Sequence, residues 1–114
     1  MKRRQILRAQ GAYYIATGLW PLLSMGLFER VTGPKVDKWL VQMVGLLAAA
    51  IGGSLCLGAR DGGEVEPGIL VLAVTSALAF AGIDVVHVLR RRISSVYLGD
   101  AVVELAIVGM LLTE

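Results

Sequence analysis

Between Phe80 and Glu104 the chain places ionisable residues inside otherwise apolar sequence. Asp84 and His87 stand just ahead of Arg90-Arg91-Arg92, and Asp100 and Glu104 follow Ser94-Ser95 on the next segment. On helices, Asp84, His87 and Arg91 share one face at i, i+3 and i+7, and Tyr97, Asp100 and Glu104 share another at the same spacing. A helical hairpin would bring three carboxyls and an imidazole within a few turns of one another. Carboxylates crowded away from water need a bound proton, a cation or Lys/Arg partners. Proton uptake and release by Asp84, His87 or Glu104 is one chemistry this allows. Another is a small cationic or lipophilic ligand held by Asp84 and Glu104, in a cavity lined by Trp20, Phe80 and Tyr97 with Trp39 and Gln42 at its mouth. A third use is structural, with Arg90 to Arg92 or Lys38 as salt-bridge partners. His87 and two carboxylates could ligate a divalent metal, but no second His and no HxxxH or ExxH spacing supports one. No metal or cofactor is expected. Nucleophilic catalysis lacks support, because Ser94 and Ser95 lie in a turn and Cys56 is far from the acids.

Composition says what surrounds these residues. The 114 residues are 56% hydrophobic and 18% charged, with mean hydropathy +0.72. A small soluble fold has too little interior to hide that much apolar surface. A bilayer is the expected solvent, and about 20 apolar residues cross it, so four such lengths nearly fill the chain. A net charge of +2 is too small to suggest nucleic acid. Basic residues cluster at segment ends, where they read as topology and headgroup contacts. With Cys56 alone, neither an intrachain disulfide nor a CxxC pair can form, and Cys56 reads as a small packing residue.

The expected architecture is all-α, a single integral membrane domain of four helices at about 11–28, 38–58, 67–89 and 96–112, running up-down-up-down. The basic start, Met1 to Arg8, precedes the first helix as in a signal peptide. The apolar run is nevertheless long, contains Pro21 and lacks a small-x-small cleavage site, so it reads as a retained span. Gly18 and Pro21 predict a kink within it, with Tyr13, Tyr14 and Trp20 as interfacial or packing aromatics. Thr32-Gly33-Pro34-Lys35 marks a turn, and Lys38-Trp39 opens the second helix. Gly45, Ala49 and Gly53 form a small-residue stripe there, and Ala73, Ala77 and Ala81 form another on the third helix. The loop from Ala59 to Glu66 is Gly-rich and acidic, too short for an EF-hand. Pro67 suits the first position of the third helix.

Alternation sets Lys2, Arg3, Arg4, Arg8 and Arg60 on one side, against Arg30, Lys35, Lys38, Arg90, Arg91 and Arg92 on the other. That near-balance leaves both orientations and a dual-topology dimer open, with the first helix favouring a cytoplasmic N-terminus. The layout, with Gly18 and Pro21 in the first helix, Gly33-Pro34 in the loop, a Gly-punctuated second helix and acids on the fourth, resembles small bacterial four-helix inner-membrane proteins of the DoxX-like kind. The resemblance implies the four-helix fold and an inner-membrane location, and little chemistry. Small multidrug-resistance carriers share the size, but this first helix contains no membrane-embedded Glu. The leading expectation is a small carrier or ligand-binding membrane protein whose acidic pocket is proton- or cation-coupled, as a homodimer or part of a membrane complex. The alternatives are an accessory subunit docking through the small-residue stripes and a membrane isomerase using Asp84 or Glu104 as acid or base.

Overall fold

The computed structural model describes residues 2–34, 37–59, 65–90, 93 and 95–113, and among them the chain is helical with short turns and irregular links and no strand. Five helices follow in order: α1 (Arg3–Leu23), α2 (Met25–Thr32), α3 (Lys38–Gly58), α4 (Pro67–Leu89) and α5 (Tyr97–Thr113). The expected bounds of α3 and α4 hold to the residue, and α5 shifts by one.

The first segment differs most from expectation. Its helix begins at Arg3, not near Gly11, because the basic start is made of good helix formers and the Lys2 N–H is capped by Gln5 Oε1 at 3.0 Å. Ile6 and Leu7 on this early stretch are buried in the core. The segment also does not run unbroken to Phe28. Pro21 lies inside α1, and at Ser24 the backbone leaves helical geometry. Ser24 then caps a separate short helix by accepting a hydrogen bond from the Leu27 N–H. The Trp20 and Phe28 rings meet edge to face at 5.3 Å, a contact that residues eight apart on one straight helix cannot make. Thus α2 turns away from the axis of α1. It ends at Gly33, whose φ of 98° suits a residue without Cβ.

Helices α1, α3, α4 and α5 alternate in direction. Gly11 faces Gly52 and Gly18 faces Gly45, Gly58 meets Ile69, and Arg3 Nε donates to the Leu111 carbonyl at 3.2 Å. The closest pairings are α1 with α3 and α4 with α5, and the two hairpins so formed meet more sparingly. Their shared core includes Ile6, Leu7, Tyr14, Leu55, Ile107 and Leu111.

Among the described residues, two helices are long and apolar enough to cross a membrane: α3, with hydropathy 2.0, and α4, with 2.3. Four such helices were expected. Helix α1 is diluted by Arg8, Gln10, Tyr13 and Tyr14, and α5 has only 17 residues.

Candidate functional site

The two seams of the bundle differ in chemistry. Between α1 and α3 the contact is backbone on backbone. A Cβ at Gly18 would collide with the Gly45 carbonyl, and one at Gly11 with the Gly52 carbonyl. The α3 stripe therefore runs through Gly45, Ala48 and Gly52, with Ala49 half-buried beside Gly18. Gly53 is not part of it, since a Cβ there would meet open space. The reason is helical pitch: seven residues return within about 20° of the starting face, whereas eight overshoot by about 80°. Ala73, Ala77 and Ala81 are all buried, as a packing stripe should be.

Between the hairpins the contact is polar. Tyr14 donates to Glu104 Oε1 at 2.6 Å, and Tyr13 donates to Asp100 Oδ1 at 2.5 Å. Gln10 Nε2 lies 3.1 Å from the Tyr14 hydroxyl and 3.0 Å from the Ala73 carbonyl, donating to both. Since Tyr14 accepts from Gln10, its own proton is directed at Glu104. Phe80 packs edge to face on the Tyr14 ring at 5.3 Å and fixes its position. Asp84 lies within hydrogen-bonding reach of Asp100. Two carboxylates are both acceptors, so this approach has no donor of its own.

The arrangement is deep. Gln10 is 0% exposed, Glu104 1% and Asp84 7%. Two buried acceptor atoms, Asp84 Oδ2 and Gln10 Oε1, have no hydrogen-bond partner among the described residues. Buried acceptors of this kind are uncommon and costly. Among the described residues they are the buried side-chain atoms left without a partner.

Of the residues singled out by spacing, Asp84, Asp100 and Glu104 come together. Tyr97 and His87 lie half-buried towards the α4–α5 turn. Trp39 and Gln42 are exposed on α3, outside the buried cluster. Lys38, considered as a partner for the acids, instead pairs with Glu29 at 3.3 Å. Arg90 is exposed at the end of α4, while Lys35, Arg91, Arg92 and Ser94 lie outside the described residues. Among the described residues no group of His, Cys, Asp and Glu is placed to hold a metal ion. Sequence reasoning overlooked Gln10 and the phenolic protons of Tyr13 and Tyr14. The signal was present: Gln10, Tyr14 and Thr17 follow i, i+4, i+7 on a helix already containing two glycines one heptad apart.

Comparison with known proteins finds no matching family model, no matching curated protein and no matching solved structure.

Proposed function

We propose that this chain is a small integral membrane carrier, a bundle of four long helices crossing the bilayer, whose Asp84–Asp100–Glu104 cluster binds and releases a proton. Two features support the bilayer. Only 22% of each candidate span in α3 and α4 is buried inside the molecule, whereas the core helix of a soluble domain is mostly covered. Large apolar side chains stand on the outside along the whole length of α3, α4 and α5, among them Leu46, Leu47, Ile83 and Val102. Lipid covers such a surface without cost.

The single observation that supports proton binding is the facing of Asp84 on Asp100 with Asp84 Oδ2 lacking a donor. A proton satisfies that pair without needing a cavity. Tyr13 and Tyr14 then hold the neighbouring carboxyl oxygens in place. The small-residue stripes that would have seated a partner helix are used inside the chain, at Gly45 against Gly18 and at the buried Ala73, Ala77 and Ala81. That use inside the chain supports the carrier reading over an accessory subunit docking through the same stripes.

Infrared spectroscopy of the protein in lipid vesicles tests the proposal. The wild type should show the carbonyl band of a protonated carboxyl in water-excluded surroundings, and Asp84→Asn should lose it while keeping its helical circular dichroism. A wild type without that band, or a band untouched by Asp84→Asn, would overturn the assignment.

A further inference from the structure

The cluster is closed much more tightly on one side than on the other. Towards the α4–α5 turn the flanking residues Asp100, Tyr97 and His87 are half-buried, and Arg90 beyond them is exposed. In the opposite direction the seam first meets Gln10, 0% exposed, and then Ile6, Leu7, Leu55 and Leu111, none more than 1% exposed. The contacts along the axis fix this order. Gln10 sits at the level of Ala73 and Tyr14 at that of Glu104. The Arg8 carbonyl lies against Cys56, and Arg3 lies against Leu111. These four aliphatic side chains come from three helices, α1, α3 and α5, and belong to one packed core. Behind them, Arg3 Nε ties the start of α1 to the Leu111 carbonyl in the last turns of α5.

Gln10 stands between this plug and the acids. Both of its described bonds use Nε2, which leaves Oε1 as a fully buried acceptor with no donor among the described residues. A residue that served only to pack would be better replaced by Leu at this depth. An acceptor kept there suits a donor that arrives from elsewhere, a proton carried by water or a small protonated ligand.

We infer that Ile6, Leu7, Leu55 and Leu111 form a closed apolar gate on the N-terminal side of the cluster, and that Gln10 is the polar binding residue directly behind that gate. In this structure the cluster is closed less tightly towards the α4–α5 turn than towards the gate. Passage to the other side requires the α1–α3 hairpin to part from α4–α5 along the polar seam, while the glycine-packed α1–α3 contact stays intact. This inference rests on the membrane carrier reading and adds the direction of access to it.

Thiol accessibility tests it. In a Cys56→Ser background, single cysteines are introduced as Asp100→Cys and Gln10→Cys, and sealed vesicles of each orientation are treated with a charged, membrane-impermeant methanethiosulfonate. Asp100→Cys should label from the α4–α5 turn side only, and Gln10→Cys from neither side. Adding Leu7→Ala with Leu111→Ala should make Gln10→Cys label from the N-terminal side. Leu55→Ala serves as a second way to open the gate if the double variant loses its helical signal. Labelling of Gln10→Cys from the N-terminal side with the gate intact, or no gain in either opened variant, would overturn the gate. Labelling reads access and not protonation, so loss of the infrared band with sided labelling preserved would reject proton binding alone. Labelling from both sides without any vesicle protection would reject the bilayer itself.

Discussion

At the residue scale the site is an account of donors and acceptors. Tyr14 supplies the only described donor to Glu104, a carboxyl 1% exposed. Tyr14→Phe keeps the ring packing on Phe80 and deletes that donor, so the loss should be about 1–3 kcal/mol, read as a lower midpoint in thermal unfolding in detergent micelles. Tyr13→Phe should cost less, because Tyr13 and Asp100 are both half-buried and water can replace the lost bond. Asp84→Asn should go the other way. At a pH where the shared proton has left, it places an amide donor opposite Asp100 where two acceptors would otherwise face each other, and there it should stabilise by about 1 kcal/mol while removing the proposed proton site. A site that gains stability when its chemistry is removed is a site kept for function. The acids could be read from the sequence because charge inside apolar sequence is conspicuous. Their partners could not, since a tyrosine before folding is as good a packing residue as a donor.

At the element scale the helices were legible and their faces only partly so. Pro67 and the Gly33-Pro34 turn punctuate the chain clearly: α2 ends just before the turn, α3 begins a few residues after it, and α4 begins at Pro67. The break at Ser24 was harder to see, because Gly18 and Pro21 announce a bend but not a capped new helix. The glycine seam shows the same limit. Stripes four residues apart suggest Gly45, Ala49 and Gly53, but a helix turning 100° per residue carries Gly53 off the contact and puts Gly52 on it. Gly18→Ala should therefore cost about 1–3 kcal/mol through overpacking against the Gly45 backbone. Gly53→Ala meets open space in mid-helix and should stabilise by up to about 1 kcal/mol. Thermal unfolding of the two variants side by side checks this. Equal effects would mean the α1–α3 seam is not so tightly packed.

At the scale of the whole molecule, composition points to lipid more directly than any one helix does. Among the described residues only α3 and α4 qualify as spans by length and hydropathy, yet α1 and α5 pack beside them in alternating directions and are tied to each other at two levels. A bundle can hide Gln10, Tyr13 and Tyr14 in its seam while facing lipid elsewhere, so α1 need not be apolar all round. Leu46 decides between solvents, because it stands exposed near the middle of α3, away from the acids. In water, Leu46→Lys would be harmless and would improve solubility, as an exposed charge does on any globular surface. At the centre of a bilayer the same ammonium costs about 2.5–3.5 kcal/mol on insertion scales. The expected result is a marked fall in the fraction of newly made protein that resists alkaline extraction from membranes. Lys at the exposed Trp39 position, at the end of the same helix, should change that fraction little, because the side chain reaches the headgroups. If Leu46→Lys leaves membrane insertion unchanged and raises the soluble yield, α3 faces water, and the acidic seam belongs to a soluble bundle.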